Sequence, residues 1–297
     1  MTTIECVPNV SEGQRRGVVA ALARALDAVP GVRLLDYSAD ATHHRSVFTL
    51  VGTAAPLTAA VLKLYRLALD AIDLRQHHGA HPRIGAVDVV PFIPLGDTPL
   101  EACVSLARDV GRAVADRFAV PVFLYEAAAT SAARRALEQI RRGQFEGLTE
   151  KLTDPDWQPD FGPHVPHVSA GASAVGARGA LIAWNVNLTT SRLDVAQRVA
   201  RAVRHSSGGL PCVKAIGLRL SDRTIVQVSI NLTDYRTTPM TAVMDRIREA
   251  AGRLGAAVLD SEIIGLVPEN ALPDDPGTTL ALTRFSPDQI LERRLRG

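Results

Sequence analysis

Val32-Arg33-Leu34-Leu35-Asp36-Tyr37, then Ser38-Ala39-Asp40-Ala41-Thr42-His43-His44-Arg45, then Ser46-Val47-Phe48-Thr49-Leu50-Val51 is the stretch on which the fold turns. Its outer parts are rich in β-formers and read as two strands; the polar middle reads as the loop joining them. Upstream, Ile4-Glu5-Cys6-Val7 reads as a short strand and residues 13–29 as a helix. In that helix Val18, Leu22, Ala25 and Leu26 recur at the helical period, and Pro30-Gly31 stops it. Downstream, a helix over residues 56–72 leads into a strand over 87–93. Two consecutive strands between two helices give β-α-β-β-α-β, the split ferredoxin-like order. A helix over 100–119, a strand over 121–125 and a short helix near Arg134 extend the set.

The same order returns later, as strand 180–188, helix 193–204, strands 213–220 and 224–232, helix 241–254 and strand 257–264. The halves share this pattern and little residue identity. The expected class is α/β (α+β): two ferredoxin-like β-α-β-β-α-β subdomains, residues 1–178 and 179–297, each a sheet with helices on one face. Residues 143–178 lie between the sets. Pro155, Pro159, Pro163 and Pro166 oppose a regular helix or central strand through most of that segment. So long an irregular stretch fits a binding loop; a plain linker is the alternative.

Bulk properties narrow the function. A hydrophobic share of 46% is enough for a sizeable core, and a formal charge of +2 gives no footprint for nucleic acid or an anionic membrane surface. No apolar run reaches the length of a membrane span, and no signal-peptide pattern opens the chain. Cys6, Cys103 and Cys212 make no CxxC pattern, so reduced thiols in a cytoplasmic protein are expected. Arg141 and Arg142 read as part of a solvated charged face.

The strongest local signal is His77-His78-Gly79-Ala80-His81-Pro82-Arg83-Ile84-Gly85-Ala86. Pro82 biases His81 away from helical geometry, so the imidazole is presented from a loop, and its ordinary pKa of about 6.5 suits proton transfer. Three readings compete. His77 and His81 have HxxxH spacing, which is weak evidence for zinc without further ligands nearby. One or two of the imidazoles could simply satisfy loop backbone groups. The preferred reading is a proton-transfer residue, His81, beside an anion clamp, Arg83. The polar loop of residues 38–45 can reach the same end of the sheet, making Arg45 a candidate for a bidentate carboxylate contact, with an ordinary surface arginine as the alternative.

A third element is Gly162-Pro163-His164-Val165-Pro166-His167-Val168-Ser169-Ala170-Gly171, followed by Ala172-Ser173-Ala174-Val175-Gly176-Ala177-Arg178. Ala177-Arg178 stands where a phosphate-binding loop needs Lys-Ser/Thr, so a nucleotide site of that kind fails. What remains is backbone N–H groups and small side chains that let a flat ring lie close.

Long runs of this sequence resemble the glutamate formimidoyltransferase (formiminotransferase) family. They are Glu5 to Gly13, His81 to Pro94 and Asp156 to Pro163, continued by Gly176-Ala177-Arg178, Leu181 to Leu188 and Gln227 to Leu232. The resemblance implies two α/β subdomains with a folate tunnel between them, a homodimer, and exchange of a formimidoyl group between N-formimidoyl-L-glutamate and tetrahydrofolate, with no metal. It places the catalytic histidine at His81 and the folate segment at Gly162 to Gly171. Arg45, Arg83, Arg178, His44 and Asp40 are the expected contacts for substrate carboxylates. No fused cyclodeaminase is expected. Ser38 stands where members carry Asp, and His44 where they carry Asn before the loop arginine. Those departures motivate other readings: a folate-dependent enzyme acting on 5-formyltetrahydrofolate (formyltransferase or cyclo-ligase type), or a folate-binding protein without catalysis. A metal-dependent hydrolase is the remaining class.

Overall fold

Pro8 cannot donate a ladder hydrogen bond, and the first strand breaks there into β1 (Thr3–Cys6) and β2 (Asn9–Val10). The computed structural model describes residues 2–220 and 224–296, and the chain divides into two units at Arg178 and Gly179. In the first unit α1 (Arg16–Asp27) buries Val19, Leu22, Ala23 and Leu26. That is one helical stripe, rotated slightly from the register Val18 and Ala25 suggest. β3 (Val32–Asp40) and β4 (Arg45–Gly52) form an antiparallel hairpin. α2 (Ala54–Ala71) follows, with Pro56 in its first turn, where a missing N–H costs nothing. β5 (Val87–Leu95), α3 (Leu100–Phe118) and β6 (Val122–Glu126) come next, then the one-turn helices α4 (Leu137–Ile140) and α5 (Leu148–Lys151) and the strand β7 (Ser173–Ala177).

Among the described residues these strands form one sheet, in the order β3, β4, β1 with β2, β5, β7, β6. It is antiparallel as far as β5 and parallel from β5 through β7 to β6. α1, α2 and α3 cover one face, where Phe48, Leu50, Phe92 and Leu124 are buried. On the opposite face of the parallel half, Val89, Phe123, Tyr125 and Ala174 are covered by Ile140, Leu148 and Leu152. Helices therefore lie on both sides there, an addition to the single-faced arrangement expected from sequence. β7 is a second correction, because it runs through the segment read as irregular. It is a strand between two parallel neighbours, and a Cβ at Gly176 would stand 2.4 Å from the Tyr125 ring and backbone oxygen. Only a residue without a side chain fits.

The second unit contains β8 (Ile182–Leu188), α6 (Leu193–Val203), β9 (Val213–Arg219), β10 (Val226–Leu232), α7 (Met240–Gly252) and β11 (Val258–Ile264). Its antiparallel sheet has the order β11, β8, β10, β9. The element order β-α-β-β-α-β thus occurs in both units, each time with the first strand of the set flanked by the third and the fourth. Period-2 alternation turns Ile182, Trp184, Val186 and Leu188 into a core shared with α6 and α7. Trp184 is fully buried there. Asn185 and Asn187 face the other way. Among the described residues no helix is long and apolar enough to cross a membrane.

Candidate active site

The loop between β3 and β4 meets the loop after α2 within the first unit. Ala80 N–H donates to Thr42 O at 3.1 Å, and His77 Nε2–H to His44 O at 2.8 Å. His44 Nδ1–H donates to His78 O at 3.1 Å, and the His44 and His77 rings stack with centroids 4.1 Å apart. This approach is possible because Gly79 has no Cβ; one built there would lie 2.5 Å from His43 O. The turn His167–Gly171 joins from a third direction. It is closed by reciprocal bonds between the His167 and Gly171 backbones, and Ala86 N–H donates to Ala170 O at 3.0 Å. The three segments singled out in the sequence meet around the start of β5.

His81 is the chemically distinctive group of the cluster. Its Nδ1 faces Pro82 O at 2.8 Å, and a carbonyl can only accept, so the ring proton sits on Nδ1. The other nitrogen, Nε2, then carries the lone pair, and it accepts from Arg45 Nη1. Burial, followed by the charges of Arg45, Arg141 and His43, holds the His81 pKa well below the usual imidazole value. The ring is neutral, with its tautomer fixed by two partners. His43, centroid 6.1 Å away and edge-on, is itself bonded to Asp40 at 3.0 Å.

Arg45 lies at the start of β4, and burial together with the charge of Arg141 brings its pKa down to about 9. Its Nε–H is buried with no hydrogen-bond partner among the described residues. Asn9 pairs with Val47 across β2 and β4, so it shares a sheet face with Arg45, two residues along. Asn9 Nδ2 donates to Val7 O at 2.8 Å, and Asn9 Oδ1 is buried with no hydrogen-bond partner among the described residues. An orphaned donor and an orphaned acceptor on one face mark a place built for a polar molecule.

Several sequence expectations are revised. Arg83 is no free anion clamp. Its five N–H groups serve His77 Nδ1 (3.0 Å), His77 O (3.3 Å), Gln144 (3.2 Å) and the two oxygens of Glu146 (2.9 and 2.6 Å). It ties the histidine loop to residues 144–146. His77 consequently has both ring nitrogens engaged, Nε2 by His44 O and Nδ1 by Arg83. His44 and Asp40 serve within the loop, His44 against His77, His78 and Glu12, and Asp40 against His43. Arg178 is carried away by β7, which runs parallel to β5, and sits roughly 16 Å along the strands from the His81 end at about 3.3 Å per residue. It stands instead beside Tyr125.

Arg141, by its sequence part of a solvated charged face, is largely buried and donates to the Asp88 carboxylate from Nε at 3.0 Å and from Nη2. Asp88 in turn accepts from Ile84 N–H at 2.7 Å. Glu12 accepts from the backbone N–H groups of Gln14 (2.9 Å) and Arg15 (2.8 Å), and its side chain lies 3.3 Å from His44 Nε2. Burial alone would raise its pKa, but those two N–H donors together with the Arg15 guanidinium, whose Nε lies 2.6 Å from Glu12 Oε2, outweigh it and the net shift is down. A signal for Glu12 was present in the sequence, since an acid just before a helix complements its N-terminus.

The arrangement sets one neutral imidazole, able to take and return a proton at Nε2, beside a buried guanidinium. A family model described as the formiminotransferase domain, N-terminal subdomain, matches residues 3–178, and one described as the formiminotransferase domain matches residues 183–276. The glutamate formimidoyltransferase of Streptococcus pyogenes serotype M1 is 44% identical over 99% of both chains. That of Thermoplasma acidophilum is also 44% identical, over 99% of this chain and 98% of its own. The formimidoyltransferase-cyclodeaminase of Gallus gallus is 42% identical over 91% of this chain and 51% of its own length. On both family models and full-length relatives, the chain belongs to the formiminotransferase family.

Proposed function

We propose that this chain transfers a formimidoyl group from N-formimidoyl-L-glutamate to tetrahydrofolate, giving 5-formimidoyltetrahydrofolate and L-glutamate. The observation that carries the reading is the neutral His81 ring, with its proton fixed on Nδ1 and its Nε2 lone pair lent to Arg45. The formimidoyl carbon is electrophilic when its nitrogen is protonated, so folate N5 attacks it directly. A C–N5 bond forms, and His81 Nε2 takes the proton that N5 sheds. The same proton passes to the glutamate nitrogen as its bond to carbon breaks. One imidazole serves both transfers, a contribution of about 10²–10⁴-fold; holding the two substrates together supplies the rest.

Arg45 has a part in this sequence. A substrate carboxylate would draw its guanidinium, whose Nε–H has no hydrogen-bond partner among the described residues, and free the His81 lone pair for N5. The segment Gly162 to Gly171 is the proposed folate contact. Val165 and Val168 are 64% and 71% exposed, apolar surface for a flat ring. A homodimer in the cytosol belongs to the same reading, and light scattering on the purified chain tests its first half.

The test is a direct assay with both substrates, following 5-formimidoyltetrahydrofolate by its absorbance. His81→Ala is expected to lower kcat by about 10²–10⁴-fold while tetrahydrofolate still binds. Wild-type turnover in that variant would remove His81 from the mechanism. Activity with 5-formyltetrahydrofolate alone would point to the formyl-donor reading, and binding without turnover to a non-catalytic folate protein.

A further inference from the structure

Asn9 and Arg45 each have one unmet polar atom, and the two atoms are complementary. Asn9 Nδ2 donates to Val7 O, and a carbonyl only accepts, so the amide is fixed with Oδ1 turned the other way. That oxygen is a buried acceptor without a hydrogen-bond partner among the described residues, and Arg45 Nε–H is a buried donor in the same condition. The ladder sets Asn9 opposite Val47 and Val10 opposite Ser46, which puts Arg45 diagonally across from Asn9 on one face of the sheet. Diagonal neighbours of this kind lie within reach of a long side chain.

Two unmet groups of opposite kind, each costly alone, would satisfy one another if the guanidinium moved a short way along β4. Its present position is set by Nη1, which donates to His81 Nε2. Two acceptors therefore compete for one cation, the lone pair of a neutral imidazole and the oxygen of an amide, and the imidazole holds it. Both unmet atoms are closed to solvent, so a bound molecule alters their state only by moving a side chain. A substrate carboxylate that takes the outer guanidinium nitrogens breaks the His81 contact, and Asn9 Oδ1 then gives the Nε–H a place to settle.

We infer that Asn9 is a positioning residue that receives Arg45 when substrate binds, turning His81 from a masked base into a free one. The role rests on the formimidoyl-transfer reading, in which His81 Nε2 takes the proton from N5. A ligand shifts such an equilibrium only by the difference in free energy between the two arrangements. Asn9 Oδ1 adds to that difference by stabilising the arrangement in which the base is free.

The experiment is the pH dependence of kcat and kcat/KM for Asn9→Ala in the full chain, alone and combined with Arg45→Gln, using N-formimidoyl-L-glutamate and tetrahydrofolate. The acid limb of kcat/KM reports the free enzyme, in which Arg45, Arg141 and His43 all act on His81, and the limb of kcat reports the complex. In wild type the kcat limb should lie the higher of the two, toward pH 6.5, because Arg45 has withdrawn. Asn9→Ala is expected to lower kcat by about tenfold or more and to bring the limbs together. In the Arg45→Gln background the same change should cost little further, the non-additivity of coupled residues. If alanine does not fold, Asn9→Asp gives the reverse reading: its carboxylate draws Arg45 without substrate, and the kcat/KM limb rises toward pH 6.5. An equal loss from Asn9→Ala with and without Arg45, or limbs that already coincide in wild type, would overturn the role of Asn9 while wild-type transfer leaves the functional reading standing. A wild-type protein inactive with both substrates would remove that reading and the role with it.

Discussion

Replacing Arg45 by Gln removes a positive charge that sits directly on the His81 lone pair. Burial and the charges of Arg45, Arg141 and His43 disfavour the His81 imidazolium. The neutral base is therefore present at pH 6.5 and is lost only as pH falls through the depressed pKa. The acid limb of kcat/KM in wild type should lie below pH 6.5, and in Arg45→Gln it should move up toward that value. A limb that stays in place would show that Arg45 does not tune the base. Chelation is a second test at this scale. With both His77 nitrogens committed, exhaustive dialysis against EDTA should leave turnover unchanged. His81 was legible in the sequence because Pro82 and the flanking glycines announce a presented loop. Arg83 was misread because charge is visible in a sequence and its partners, Gln144 and Glu146 some sixty residues on, are not. Arg141 was missed for the same reason, its carboxylate partner Asp88 being on a distant strand.

At the level of elements, the site depends on how closely two loops approach. Gly79→Ala puts a methyl group against His43 O, so the loops must part. The expected result is a far-UV spectrum like that of wild type with turnover lowered by about 10²-fold, the effect of an ångström of misplacement. Arg83→Ala is a stability experiment. It leaves the His77 acceptors unmet, and a loss of about 1–3 kcal/mol in urea unfolding is expected. The Glu146 side of the pair contributes little, because that carboxylate is well exposed. Most of the strands and long helices could be read from periodicity, whereas β7 could not. Ser173-Ala174-Val175-Gly176-Ala177 has little β-propensity, and its strand state comes from fitting small residues between β5 and β6.

For the whole molecule, acid is the direction of weakness. His77, His81 and His167 have folded pKa values below the unfolded 6.5, chiefly from burial. Below pH 6.5 the unfolded chain binds protons the folded one refuses, and stability falls by about 1.4 kcal/mol per pH unit for each proton so refused. Glu12, Asp40 and Glu146, whose pKa values are lowered in the fold, add a further loss when the pH drops through the carboxylate range. Urea midpoints should therefore decline between pH 7 and 5, before carboxylate protonation begins to matter; a flat response would refute this account of the three histidines. The division at Arg178 and Gly179 also has a practical side. The chain has two tryptophans, and each unit holds one. Trp184 is sealed among aliphatic neighbours in the second, and Trp157 is partly open in the first, with the Lys151 ammonium 3.9 Å from its ring centre. Their emission should differ in colour, so each unit brings a native optical probe, and the order in which the two melt can be followed without any label.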